Sequence, residues 1–320
     1  MMKQPVCAVV IPCFRVGALV EAVIARIGPE VDCIYVVDDC CPLGTGKLVQ
    51  ERCSDPRVRV ILHPENRGVG GAVVSGYEAA LAEGADIVVK IDGDGQMDPA
   101  LVGRFIGPIL EGRADYTKGN RFHRLRNVAS MPTIRLLGNT VLSFMTKLSS
   151  GYWQVFDPTN GYTAIHRAAL QELDLQHMAK RYFFESDMLF QLNQARAVVL
   201  DIPMMAKYED EPSSLKPSRI ILPFLRGHLR NTTRRIFGSY FLRGFSVASI
   251  ELVAGVALAI FSLCFGSHAW YLSVHEGTPA SAGTVMLAAL PLILGCQLLL
   301  SWLNFDIASE PRTPLQHLIR

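Results

Sequence analysis

No Cys-x-x-Cys pair occurs among the eight cysteines, Cys7, Cys13, Cys33, Cys40, Cys41, Cys53, Cys264 and Cys296. That excludes a zinc ribbon or a dithiol redox centre and speaks against a disulfide framework, so reduced, mostly buried thiols facing a reducing compartment are expected. A cleavable leader is not expected either: Met1 to Pro5 is polar, and the apolar run 6–12 is too short. Acids are missing between positions 216 and 243, where seven basic residues stand (Lys216, Arg219, Arg226, Arg230, Arg234, Arg235, Arg243). Lysine and arginine are missing from 273–282. A dinucleotide fingerprint is incomplete: in Asn66-Arg67-Gly68-Val69-Gly70-Gly71-Ala72, Val73 stands where G-x-G-x-x-G needs its last glycine, which argues against a dehydrogenase.

What is present divides in two. Residues 1–215 alternate short apolar runs with stretches of helical spacing. Strands are expected over 6–11, 33–37, 58–62 and 85–91, with helices over 16–27, 43–52, 67–83 and 99–110 between and after them. Such alternation predicts an α/β chain with a parallel, doubly wound sheet, whose ligands sit at the carboxyl ends of the strands. Beyond it, an edge strand is expected over 116–121, a helix over 132–148, a turn at Asp157-Pro158-Thr159-Asn160-Gly161, a strand over 162–166 and a helix over 184–194.

The stretch Ile91-Asp92-Gly93-Asp94-Gly95-Gln96-Met97-Asp98-Pro99 closes the fourth strand. Carboxylates two residues apart at a strand end point the same way, and the glycines allow close approach of a ligand. Two hard oxygen donors suit Mg2+ or Mn2+ carrying a diphosphate, because such ions fill their remaining positions with phosphate and water. The alternative is a polar turn leading into a helix begun by Asp98-Pro99.

After residue 215 the chemistry changes. The basic residues of 216–243 are interleaved with Ile220, Ile221, Leu222, Phe224, Leu225, Ile236, Phe237, Tyr240, Phe241 and Leu242. That pattern predicts amphipathic helices lying on anionic lipid headgroups, and no nucleic acid partner. Residues 249–272 and 283–305 are each long and apolar enough to cross a bilayer. The basic flank before the first and the uncharged linker between them predict a hairpin with soluble part and C-terminus cytoplasmic. Glu251 inside the first span is read as snorkelling to the headgroups. The resulting division is 1–212, 213–246, 247–305 and a tail at 306–320.

Val9-Val10-Ile11-Pro12, Val37-Asp38-Asp39, Asn66-x-Gly68-x-Gly70, Asp92-Gly93-Asp94-Gly95-Gln96, Gly119-Asn120-Arg121 and Asp157-Pro158-x-Asn160-Gly161 occur in the order and spacing of family 2 inverting glycosyltransferases. More closely, the chain resembles the polyprenyl-phosphate hexose transferases of the dolichyl-phosphate-mannose-synthase-like branch, in their bacterial form with two C-terminal spans. The resemblance implies a GT-A fold and hexose transfer from a UDP- or GDP-sugar to a polyprenyl (undecaprenyl) phosphate at the inner membrane, for cell-envelope glycans. It implies that Pro12, Asp38 and Asp39 hold the base and ribose, and that Asp92 and Asp94, with Gln96, hold Mg2+ or Mn2+. Arg121 and Arg135 would face the lipid phosphate, and Asp157 the sugar. Asp94, Asp157, Arg121 and Arg135 thereby form the candidate catalytic set. Glu185, after Phe183-Phe184, is a further candidate on the sugar side, although it and Asp187 also suit the first turn of a helix. Arg124 and Arg126 are candidates for a lid.

The chain departs from the family at Arg15-Val16 and Cys40-Cys41-Pro42, where Asn-Glu and Asp-Gly-Ser are usual, which leaves UDP against GDP open. It also lacks the Gln-x-x-Arg-Trp motif of processive polysaccharide synthases. Two other readings stand beside this one: a membrane glycosyltransferase acting on a glycolipid or glycan hydroxyl, and an inactive nucleotide-sugar-binding scaffold. A homo-oligomer stays open.

Overall fold

The structure, a computed structural model, describes residues 4–123, 133–205 and 217–319, and all side chains there except those of 133–137, 139 and 217–220. It forms two compact units, Met1–Thr233 with Pro311–Arg320, and Arg234–Glu310.

The first unit is built on a seven-stranded sheet of order β3-β2-β1-β4-β6-β5-β7. Its strands are β1 (Cys7–Cys13), β2 (Cys33–Asp38), β3 (Val58–Leu62), β4 (Ile87–Lys90), β5 (Tyr116–Asn120), β6 (Thr163–His166) and β7 (Val199–Pro203). The apolar runs lack polar alternation because both faces of the sheet are covered. Along β1, Val9 and Ile11 pack with Val20, Phe105 and Ile109 from α1 (Leu19–Ile24) and α4 (Val102–Leu110). Ala8 and Val10 face the opposite way, toward Ala72, Val73 and Tyr77 of α3 (Gly68–Ala82). Helix α2 (Thr45–Arg52) follows β2.

Two expectations need correction. The helix foreseen over 16–27 is confined to Leu19–Ile24, because Arg15 and Gly17 adopt left-handed φ of 62° and 55° and hold the chain out of helix until then. Strand β5 is interior: β6 pairs with one side of it, antiparallel, and β7 with the other, parallel. β6 also runs antiparallel to β4, so the sheet is mostly, and not wholly, parallel.

Past β5 come α5 (Thr133–Ser150), the short α6 (Arg167–Gln171), α7 (Phe184–Ala195) and α8 (Pro217–Phe237). Helix α8 turns His228 and Asn231 inward. His228 Nδ1 lies 2.8 Å from Ser149 Oγ, and Asn231 Nδ2 donates to Asp187 Oδ1 at 2.8 Å. Asp187, read from the sequence as a helix-dipole acid, is buried and also accepts from the Ala179 amide and from Arg230. The other side of α8 exposes Ile221, Leu222, Leu225 and Leu229. An apolar face left in the open is the reverse of a soluble helix.

Residues after the second apolar helix return to this unit. The Leu315 and Gln316 amides donate to the buried carboxylate of Asp115 at 2.9 and 3.2 Å, and Gln316 Nε2 donates to the carbonyls of Ile109 and Ala114. The Val198 amide completes the Asp115 site.

The second unit holds α9 (Val247–Glu276) and α10 (Ala282–Ala308), both long and apolar enough to cross a membrane. At 30 and 27 residues, they measure about 45 and about 40 Å. They approach where Gly255 meets Gly295, a Cβ on each standing 3.1 and 3.0 Å from the other's carbonyl oxygen, tighter than ordinary contact. Glu251 is bonded across the hairpin by Ser301 Oγ at 2.9 Å. Arg235 and Asp306, both buried, form a two-bond pair at 2.6 and 3.0 Å, and Tyr240 Oη donates to the same carboxylate.

Candidate active site

Strands β3, β2, β1, β4 and β5 point one way, so their carboxyl ends share an edge. β6 runs against them, which puts its amino end, and the turn 157–161 that feeds it, on that same edge. The topology therefore gathers Pro12, Asp38-Asp39, Asp92-x-Asp94, Asn120-Arg121 and Asp157–Gly161 along one rim of the sheet.

At the β2 end the two acids are spoken for by the backbone. Asp38 accepts from the amides of Cys41 and Gly46, both at 2.6 Å, and so fixes the entry into α2. Asp39 accepts from the amides of Arg67 and Gly68 at 2.8 and 2.7 Å, at the start of α3, and bonds His63 Nδ1 at 2.8 Å. Both carboxylates are buried, and they shape the loops around Pro12. Those loops carry the only non-glycine left-handed residues near this edge among the described residues, Arg15 and Cys40. The Arg15 amide donates to Cys41 Sγ at 3.1 Å, so the two departures from the family pattern are neighbours.

Past β4, the Lys90 ammonium stands 2.8 Å from Asp92 Oδ1 and 3.5 Å from Glu185 Oε1, uniting the acidic pair with α7. Burial alone would lower the Lys90 pKa; Asp92 and Glu185 more than reverse this and raise it. Asp94 Oδ1 accepts from the Gln96 amide at 3.0 Å, closing the turn. A Cβ on Gly161 would strike Lys90 Nζ and stand 2.7 Å from Asp92 Oδ2, so any larger residue there makes these two side chains shift.

The buried Asp157 carboxylate accepts from the Arg121 amide, from Nε at 2.8 Å and from a terminal guanidinium nitrogen at 3.0 Å, and from Asn160 Nδ2 at 3.2 Å. Burial would raise its pKa, yet the Arg121 bonds and charge, with Lys118 nearby, hold it below the ordinary carboxylate value. Of the remaining candidates, Arg135 lies in α5 with its side chain outside the described residues, as are Arg124 and Arg126 entirely.

Sequence reading missed Lys90 and Lys118. The signal was there: a lysine inside each of two otherwise apolar or buried strands, IVVK and YTKGN. Lys118 is buried, and its ammonium donates to the Asn160 carbonyl.

No group of three or more His, Cys, Asp or Glu side chains is assembled as a metal cage among the described residues. Asp92 and Asp94, both partly exposed on one turn, are a different donor set. They suit Mg2+ or Mn2+ sharing its shell with phosphate and water, so the residues present fit such an ion.

The sequence model described as "Glycosyl transferase family 2" matches residues 8–174. The chain is 29% identical over 237 residues to a UDP-N-acetylglucosamine–dolichyl-phosphate N-acetylglucosaminyltransferase of Methanococcus voltae, covering 70% of this chain and 94% of that one. It is 30% identical over 178 residues to an undecaprenyl-phosphate mannosyltransferase of Micrococcus luteus, covering 55% and 72%. It is 29% identical over 202 residues to a polyprenol monophosphomannose synthase of Mycolicibacterium smegmatis, covering 61% and 75%. Among solved structures, glucosyl-3-phosphoglycerate synthase from Mycobacterium tuberculosis with Mn2+, uridine diphosphate and phosphoglyceric acid matches with TM-score 0.53 and 22% identity, over 72% of this chain and 78% of that one. At that identity the likeness is one of fold.

Proposed function

The chain belongs to glycosyl transferase family 2 and is a glycosyltransferase, and from that premise we propose that it transfers a hexose from a nucleotide sugar to a polyprenyl phosphate at a membrane face, inverting the anomeric carbon. The observation that carries this reading is the meeting of Asp92 and Asp94 with the Arg121–Asp157 pair along one sheet edge. It is supported by relatives named for sugar transfer to dolichyl, undecaprenyl or polyprenol phosphate.

In the step itself, a phosphate oxygen of the acceptor attacks the anomeric carbon. The bond from that carbon to the diphosphate oxygen breaks, and its electron pair leaves with the nucleoside diphosphate. A phosphate monoester with a second pKa of about 6 is largely dianionic at neutral pH, so no general base is needed. Asp92 and Asp94, beside Gln96, are the residues that would hold the divalent ion. When bound, Mg2+ or Mn2+ supplies positive charge where the leaving diphosphate gathers negative charge. Arg121, oriented by Asp157, and Arg135 are assigned to the acceptor phosphate, which arginine grips through paired N–H donors. Pro12 and the loops held by Asp38 and Asp39 are assigned to the nucleoside.

Acceptor hydroxyls would require a base. Asp157, buried and held ionised by Arg121, is a poor one, and Glu185 already serves Lys90. A bilayer seat is supported by α9, α10 and the exposed leucines of α8, flanked by Arg226, Arg230 and Arg234. The charge asymmetry of the flanks favours the cytoplasmic face of the inner membrane for the domain.

The test is to incubate membranes carrying the protein with radiolabelled UDP- and GDP-sugars and polyprenyl phosphate. A mild-acid-labile labelled lipid is expected. An acid-stable lipid product would point to a hydroxyl acceptor, and no product from any donor to a silent scaffold.

A further inference from the structure

The register of the sheet places Lys90 and Lys118 in one row. Thr163 of β6 is paired with Lys90 on one side and with Lys118 on the other. Laterally paired residues share a face of the sheet, so both lysines project to the face covered by α3 and α7. Both are 1% exposed. Burying one ammonium group is costly and two in a row more so, unless each is compensated.

Their compensation differs. Lys90 has two carboxylates, Asp92 and Glu185. Lys118 donates to a neutral group, the backbone carbonyl of Asn160. The acids around it, Asp157, Glu185 and Asp201, act on it through the field, with Lys90 opposing them. Both ammonium groups thus lie beneath one feature, the turn 157–161: Lys118 holds its carbonyl at Asn160, and Lys90 lies under Gly161. That turn carries the carboxylate which orients Arg121. Neither lysine is open enough to touch a substrate.

We infer that Lys118 is a positioning residue for sugar transfer: through the Asn160 carbonyl it fixes the 157–161 turn against the Lys90–Asp92 pair, and so sets where Asp157 and Arg121 stand relative to the donor. The inference rests on reading this edge as the donor site. It separates two roles within that site, since the carboxylates of Asp38 and Asp39 hold the loop after β2 through Cys41, Gly46, His63, Arg67 and Gly68, residues outside the turn.

The experiment uses the full-length chain in detergent or nanodiscs, with binding of UDP and GDP measured in Mn2+ buffer, and transfer to polyprenyl phosphate counted per nucleotide-binding site so that misfolded protein is left out. Lys118→Met should retain nucleotide affinity and donor KM within about twofold while kcat falls about a hundredfold, the scale of a misplacement near 1 Å. Lys118→Gln, which keeps an N–H donor and is the safer variant for folding, should recover about tenfold of that loss. Unchanged kcat per site in both variants, or Gln no better than Met, would overturn the assignment. Loss of nucleotide affinity in step with kcat would equally overturn it, by making Lys118 a general support of the fold. A wild-type protein that binds neither nucleotide and transfers no sugar would remove the donor-site reading, and the assignment with it.

Discussion

Removing the side chain of Asp39 takes away three hydrogen bonds together, those from the Arg67 and Gly68 amides and from His63. The His63 bond is buried and the two amide bonds are part-buried, so Asp39→Ala should cost about 2–4 kcal/mol in thermal or denaturant unfolding. Asp94→Ala belongs to the other kind. Asp94 sits partly exposed on a turn, so the variant should melt near the wild-type temperature while transfer drops by about a hundredfold or more. Chelation of divalent ions should do the same to the wild type, and Mn2+ or Mg2+ should restore it; turnover undiminished in chelator would count against the ion. Lys118 offers a pH test. Burial holds its ammonium down at about 8, below the ordinary 10.5. Between those values the unfolded chain binds the proton that the folded chain has released, so raising the pH through this window stabilises the fold. The wild-type melting temperature should therefore gain on that of Lys118→Met from pH 8 to 10. At this scale the acidic pair, Arg121 and Asp157 were legible because their motifs are local in sequence. Lys90 and Lys118 were not, because their meaning comes from both being paired with Thr163, and register across three strands is a property of the folded sheet. Arg15 and Cys41 stood out as departures; that one bonds the other could be known only once the loops were placed.

Among the elements, the parallel half of the sheet followed directly from strand–helix alternation, and β3 matches the expected 58–62 residue for residue. The antiparallel insertion of β6 did not, since a four-residue apolar strand, TAIH, carries no mark of its direction. Its reversal is nevertheless what delivers the 157–161 turn to the carboxyl edge. Replacing Gly161 by alanine should therefore lower transfer by about a hundredfold without unfolding the sheet, as the new methyl pushes on Lys90 and Asp92. The polar inward face of α8 was hidden too: the basic and apolar residues announced an amphipathic helix, but His228 and Asn231 gave no hint that they, rather than leucines, bind the domain. In the second unit, Arg235→Leu alone should cost about 3–5 kcal/mol by stranding Asp306, whereas Arg235→Leu with Asp306→Leu should regain most of it. Comparing the two unfolding midpoints in one detergent checks this.

For the molecule as a whole, two apolar helices were expected from composition, and the structure contains helices of that length. Within the segment 306–320, read from the sequence as a tail, Leu315 and Gln316 bond Asp115 with two backbone amides. An epitope inserted in 277–281 and one placed after residue 319 should accordingly be reached from opposite sides of sealed vesicles, with the second on the side of the sheet domain. The Asp115 clasp also bears on how the protein is made. A ribosome delivers amino acids in order, and by residue 233 it has released every strand of the sheet yet only one of the three backbone donors that Asp115 requires. The other two emerge after both apolar helices. A nascent chain of this protein thus carries an unfinished carboxylate site until both apolar helices have been made, and completion of the sheet domain waits on the residues that follow them.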